Sequence, residues 1–439
     1  MVGALEDRLD ANTYHPERVL IVKKLKASKW VVKPVKLLAK FPKDIVSSNI
    51  ERLPYIGLEN IESNTGVYIE TSEKESFGTA IKFERGKILF PKLRPYLNKV
   101  YYSEFEGICS TEFHILSSQI VDNEYLSHFL RSKFVVNQTK WLMSGNTLPR
   151  LQTADIENLL VPIPPLEIQS QIVEKFNEAY AQKRQKEAQA KELLAGVEAY
   201  LLDKLGIILP EKVEEKKVFY TRFSKIQGNR FDPFYHKEEF EIIHRAVSEG
   251  KYMVSNIKES AQKLIKGRLP KDSQKEGECQ VVQINSINMD GSIDLDDLLT
   301  AKPIFVENQT LQKNDVLIVI TGATIGKIGY WLYDGTYYLG GDIVKFQCNE
   351  GVNPYFVYSY LRTEIIQTQI KRYITGATNG HLSPTDVNSL QIPLPPLEIQ
   401  TEIANHVRGI REQAKALENE AKAIIEQVKT EIEKIILGE

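Results

Sequence analysis

VPIPPLEIQSQIVEKF, residues 161–176, returns as IPLPPLEIQTEIANHV at residues 392–407, 231 positions later. Most positions are identical or exchanged like for like. At the same offset Ser144-Gly145 matches Thr375-Gly376, Thr147 matches Thr378, Leu151 matches Leu382, and Asp155 matches Asp386. Further upstream Leu130-Arg131 matches Leu361-Arg362. So long a register without a gap marks a duplication. The chain is two copies of one unit, each a variable block followed by a shared segment.

The shared segment announces a helix. Pro164-Pro165 and Pro395-Pro396 stop what precedes and preset φ, and Glu167 and Glu398 fall in the first turn, where the helix dipole favours acids. In the second copy Ile403, Val407, Ile410, Ala414, Leu417, Ala421, Ile424 and Val428 alternate steps of four and three, a coiled-coil seam. In the first copy the seam runs Ile172, Phe176, Ala179, Lys183, Lys186, Ala190, Leu193, Val197, and turns polar at the two lysines. A helix of that length measures roughly 60 Å at about 1.5 Å per residue. One head cannot bury it, so the simplest partner for one such helix is the other. Antiparallel pairing would place the heads at opposite ends, about an approximate two-fold axis. Expected boundaries are a head at 1–163, a helix at 164–205, a linker and second head at 206–394, and a second helix at 395–437.

Each head opens alike, with Arg8-Leu9-Asp10 before Tyr14-His15 and Arg230-Phe231-Asp232 before Tyr235-His236. These read as structural openings. Beyond them, residues 86–90 (GKILF), 107–116, 315–320 and 341–346 read as strands, and 123–137 and 354–370 as helices. Strands with intervening helices but no regular βαβ cadence predict α+β, or mixed α/β, heads.

At 439 residues, 42% apolar and 26% charged, the composition is that of a globular protein. No apolar run approaches the roughly 18 residues that span a bilayer, and the opening MVGALEDRLD carries acids where a secretory signal carries bases. Three scattered cysteines give neither a disulfide frame nor metal-ligand spacing. The expectation is a reduced, cytoplasmic protein without membrane or zinc. Net charge is −2, but between residues 18 and 43 nine Lys and Arg stand with no acid among them, and Lys263, Lys266, Arg268 and Lys271 form a shorter basic run. Local patches, not the sum, set the field a phosphate backbone feels.

Catalytic patterns are missing. Asp232-Pro233-Phe234-Tyr235 lacks the second proline of an amino-methyltransferase loop, and its twin at Asp10 has no such character. Gly322–Lys327 (GATIGK) has three residues between its glycines where a phosphate loop has four, and Ile328 stands where a hydroxyl should hold magnesium. No paired-carboxylate, H-E-x-x-H or Cys–His arrangement appears.

With its two P-[IL]-P-P-L-E-I-Q segments, each behind a variable head and before a long helix, and its paired head openings, the chain resembles the specificity subunit of type I restriction–modification enzymes. The resemblance covers essentially the whole sequence. It implies two target-recognition domains, each reading half of a split sequence in double-stranded DNA, held by a coiled-coil spacer around which methyltransferase (modification) subunits bind. It implies no catalytic centre and no cofactor on this chain, with S-adenosylmethionine, ATP and magnesium on partner subunits and a separate restriction–translocase subunit. Two alternatives are the specificity module of a fused restriction–methylation enzyme, whose catalytic domains would lie upstream where this chain begins directly with a head, and a coiled-coil scaffold that binds only protein. Salt-dependent DNA retention separates reader from scaffold.

Two loops in each head carry DNA-contact chemistry. After a strand come Lys92, Arg94 and Lys99 in the first head, and Thr321, Thr324 and Lys327 in the second. Before each long helix come Asn146, Thr147 and Arg150, and Thr378, Asn379 and His381. Lys266, Arg268, Lys271 and Asn285 complete the candidates. Arg and Lys can grip guanine, and Asn adenine, while hydroxyls and lysines suit phosphates. The repeated corners, Leu166, Glu167, Gln169 and Leu397, Glu398, Gln400, are the constant surface expected to dock the methyltransferase.

Overall fold

The computed structural model describes residues 11–47, 53–70, 78–145, 147–210, 218, 220–226, 230–268, 273–274, 279–296, 298–301, 309–376 and 379–438. The opening Arg8-Leu9-Asp10 and the candidates Asn146, Lys271 and Thr378 lie outside them. Internal contacts divide the chain into residues 1–187 with 418–439, and residues 188–417. The division falls within both long helices.

In the first unit one antiparallel sheet runs Ala39–Lys40, Phe113–Ser118, Ile88–Pro91, Tyr101–Tyr102. Its centre is buried on both faces. Ile88 and Phe90 join the core against the helices, and Leu89 points the other way into a second core with Phe83, Tyr101 and Ile115. Two covered faces explain an apolar run without polar alternation. A second sheet runs Asp44–Ser47, Thr79–Phe83, Gly107–Ser110, Tyr55–Ile56, its last pair parallel. The single strand expected at 107–116 is therefore two. A turn at Thr111-Glu112 passes the chain from one sheet to the other.

The second unit repeats the first sheet as Ile265–Lys266, Ile343–Phe346, Val316–Val319, Ile328–Tyr330. Val316, Ile318 and Ile320 again face the helical core, and Leu317 and Val319 the opposite one. Its other sheet runs Ser273–Gln274, Leu299–Ala301, Cys279–Val282, Tyr337–Leu339. By chain order the last two strands, the parallel pair, have exchanged places relative to the first unit. The parallel pair persists in both. The heads thus share one sheet and differ in the other.

Each expected head helix is broken in two, giving Asn123–Leu130 and Lys133–Thr139, and Pro354–Leu361 and Glu364–Tyr373. Ser132 and Thr363 are extended at the breaks. Thr363 turns its hydroxyl back to the Tyr360 carbonyl, and Asn98 donates to the freed Arg131 carbonyl at 2.7 Å. Residues that bond their own backbone end a helix that periodicity alone would continue. The second head opening is interlocked. Asp232 accepts from the Tyr235 amide and from Arg230, whose guanidinium also caps the Tyr373 carbonyl.

The long helices are Leu166–Leu205 and Leu397–Leu437. In the first unit Lys175 pairs with Glu431 and Lys186 with Glu420, eleven residues onward on one helix and eleven back on the other. In the second unit Tyr200 packs on His406 and Lys204 pairs with Glu402. In both units the helices run antiparallel. Ile403, Val407, Ala414 and Ala421 are buried, as the seam requires. Toward the end it slips by one position, so that Ile425, not Ile424, is fully buried, followed by Ile432 and Ile436. A helix of 3.6 residues per turn drifts against a seven-residue repeat, and this pair follows the drift. The two seam lysines are half-buried, their stems along the seam and their ammonium groups on Glu187 and Glu420.

Candidate nucleic-acid interface

The two loops picked out separately in each head are one structure. In the first unit Leu93 and Ser144 both bridge Arg150; the Arg94 amide donates to the Pro149 carbonyl and the Leu151 amide to that of Lys92. In the second unit Thr321 and Thr375 both bridge His381; the Gly322 amide donates to the Gly380 carbonyl and the Leu382 amide to that of Ile320. The junction is the same and its side chains are not. Gly145 and Gly376 hold it with φ of +95° and +96°. A Cβ on Gly376 would stand 2.5 Å from the Asn379 carbonyl oxygen, so glycine is required there.

Arg94 is exposed at the tip of the first junction, its backbone left-handed at φ +47°. Thr147 is also exposed. Arg150 is not free. It forms a two-point ion pair with Glu112, at 3.2 and 2.9 Å. Lys92 is half-buried between strands, and burial lowers its pKa despite Glu112 nearby. Lys99 departs most from a phosphate contact, since its ammonium caps the Leu58 carbonyl at 2.9 Å and fastens the loop. The sequence reading missed Glu112 and His114 beside this junction, and had Lys43 only as the end of the basic run. Burial first, then the cations of Lys92 and Lys43, push His114 down to about 4. Those groups converge through strand pairing, which no local motif reveals.

In the second unit Thr321 Oγ1 lies 3.2 Å from His381 Nδ1. Thr324 and Lys327 share a tight turn, and Asn379 is exposed beside them. Lys266 and Arg268 are exposed, at and just after the edge strand Ile265–Lys266, and the Arg268 amide is held by Gln309. Asn285 is exposed in the short helical turn Ile284–Ser286. The structure does not bring Asn285 or Lys266 into hydrogen-bonding contact with the two-loop junction.

The shared corners divide cleanly. Leu166 is 64% and Leu397 47% exposed, with Glu167 and Glu398 exposed beside them. Gln169 and Gln400 are 1% and 2% exposed, which corrects their placement on a docking surface. Gln169 accepts from the Asp122 amide and donates to the Pro164 carbonyl; Gln400 does the same with Asn353 and Pro395. Each glutamine clamps its long helix to the start of a head helix. Among the described residues no group of three or more His, Cys, Asp or Glu is arranged to hold a metal. No described helix is long and apolar enough to cross a membrane.

A duplicated α+β head on a long helix, with a two-loop junction of altered side chains, defines a class. The family model of the type I restriction modification DNA specificity domain matches residues 36–195 and 249–430. The chain belongs to that family. Among its relatives are the EcoBI specificity subunit of Escherichia coli, 25% identical over 281 residues, and the EcoDI specificity subunit, 32% identical over 127. The matches span 56% and 27% of those proteins, and 63% and 29% of this chain. The putative MjaX specificity subunit of Methanocaldococcus jannaschii is 24% identical over 391 residues, covering 85% of this chain and 83% of that one. A solved chain from a type I restriction–modification system shares the fold at a TM-score of 0.50 and 19% identity, covering 93% of this chain and 96% of its own. These relatives are specificity subunits, the non-catalytic components of type I enzymes.

Proposed function

We propose that the chain selects the DNA sequence on which a type I restriction–modification complex acts. Each head reads one half of an asymmetric, split target, and the helix pair sets the unread spacer and docks the methyltransferase subunits through Leu166, Glu167, Leu397 and Glu398. The carrying observation is the junction built twice on the same backbone with different side chains, Arg94 and Thr147 in one head against Thr321, Asn379 and His381 in the other. A constant scaffold under altered side chains is what two unlike half-sites require. S-adenosylmethionine, and ATP with magnesium for restriction, would be held by the partner subunits, a translocase–nuclease among them. Phosphate contacts fall to the lysines, and discrimination to bidentate groups, at about 1–3 kcal/mol for each base pair read.

The test maps methylated bases genome-wide in a host carrying the methyltransferase with this chain, with Arg94→Ala, or with Arg268→Ala. A split motif should depend on the chain, and each variant should relax its own half, by roughly tenfold to a hundredfold if the arginine reads a base. A single undivided motif, or one variant that relaxes both halves, overturns head-by-head reading.

A further inference from the structure

Within the first unit a cavity of about 220 Å³ opens between the head helices, the start of the first long helix and the last turns of the second. Its polar end is His128, Arg131 and Ser132, and its apolar wall includes Phe176 and Ile436. His128 is 6% exposed and stacks on Phe176 at 4.2 Å. Its Nδ1 lies 2.8 Å from Nη2 of Arg131. A guanidinium only donates, so Nδ1 accepts and the ring proton sits on Nε2. That N–H is buried and has no partner, and neither has the buried hydroxyl of Ser132. Leaving such groups unpaired costs each its lost hydration.

The charges around the cavity also fail to close. Lys133 pairs with Glu433 and Lys429 with Glu426, at 2.5 and 2.9 Å. Arg131 donates to the Val100 carbonyl, and among the described residues no carboxylate pairs with it. Glu124 acts on that buried positive charge from farther off, without a direct ion pair. The shared fold keeps the arginine, as Arg362, but not the unpartnered groups beside it. In the second unit the residues 231 positions on are satisfied internally, Ser359 on the Tyr355 carbonyl and Thr363 on that of Tyr360. Arg411 stands in the place of Tyr180, its guanidinium over the Tyr358 ring.

We propose that this cavity is a binding site for a small monocarboxylate with an apolar, ring-sized body. The carboxylate accepts from His128 Nε2 and Ser132 Oγ and offsets Arg131, while the body lies along Phe176 and Ile436. Size agrees, since an apolar cavity of about 150 Å³ takes up benzene. Because the walls come from head and both helices of this unit, occupancy fastens the end of the second long helix to the first head, by mass action.

Calorimetric titration of the full chain with benzoate tests this, with benzamide as the neutral probe of the same shape. Benzoate should bind with Kd below about 1 mM, and benzamide at least roughly tenfold more weakly, because hydrogen bonds to an ionised acceptor are about twice as strong. His128→Phe keeps the stack and removes the donor; Thr430→Trp fills the mouth from an exposed helix position. Each should abolish the benzoate signal; Thr430→Trp should leave the melting temperature unchanged, and His128→Phe should lower it, because Arg131 loses its Nδ1 acceptor. Absence of benzoate binding to the unaltered chain, meaning the cavity holds only water, overturns the proposal. So does equal binding of benzamide, which decides the matter even if a variant unfolds. Binding that survives Thr430→Trp moves the ligand elsewhere and overturns it too.

Discussion

At the residue scale, the polar groups that face inward decide more than those that face out. Lys345 and Asp315 are 4% and 0% exposed and pair at 2.7 Å inside an otherwise apolar strand pair, with Lys345 also donating to the Thr310 carbonyl. Lys345→Met leaves Asp315 buried and unmatched, and should lower stability by about 3–5 kcal/mol. Lys345→Met with Asp315→Leu removes both charges and should recover most of that loss in urea denaturation. A double variant as unstable as the single would show that packing, not charge, holds the site. His114 supplies a pH dependence. Its folded value of about 4 lies below the ordinary imidazole value of about 6.5. Between those values the unfolded chain takes up a proton that the folded head refuses, so stability falls as pH drops from about 6.5 toward 4. His114→Gln should flatten that slope when urea midpoints at pH 7 and 4.5 are compared; an equally steep fall would place its origin elsewhere.

At the scale of elements, the long helices were legible because a four-three pattern sustained over seven steps matches the helical period and no strand or loop. The duplication was legible because it preserved register. The interior of each head was less so. The run Val316–Val319 is apolar on both faces, so its periodicity says only that it is buried, not which sheet it joins. The exchange within the parallel pair of the second sheet follows from long-range pairing that local propensity does not encode. Contact candidates could be chosen by residue type, but not sorted into free and engaged. Arg150 and Arg94 look equivalent in FPKLRPY and SGNTLPR, and only the fold places Glu112 beside one of them. The glutamines of the shared corner were misplaced for the same reason, since a fourth helical position faces inward or outward according to what lies opposite. Gln169→Ala frees the Asp122 amide and the Pro164 carbonyl, and should destabilise the first unit by about 1–3 kcal/mol in thermal melts. Glu167→Ala with Glu398→Ala should leave melting unchanged and weaken co-elution with the methyltransferase. Normal assembly would remove these corners from the docking surface.

At the scale of the molecule, the helix pair matters because its length is a quantity that can be altered without touching either head. Ion pairs fix the register, Lys186 on Glu420 in one unit and Lys204 on Glu402 in the other. A seven-residue insertion in one helix alone would slide that register. Inserting a heptad between Glu187 and Ala188 and another between Leu417 and Glu418 keeps facing positions matched and returns the seam to the same side, apart from a drift of about 20°. Each insertion lengthens its helix by about 10 Å at 1.5 Å per residue. Against a rise of about 3.4 Å per base pair, that is roughly three base pairs. If the helices set the spacer, methylation at sites of the original spacing should fall. Sites lengthened by about three base pairs should gain, to the extent that the heads can follow the groove around the duplex. Half-site sequences should not change, because neither junction is altered. The measurement is methylation of a plasmid library in which only the spacer between fixed half-sites varies. An unchanged optimum would mean that something other than these helices measures the gap. Altered half-sites would mean that the heads do not read independently of the rods that carry them.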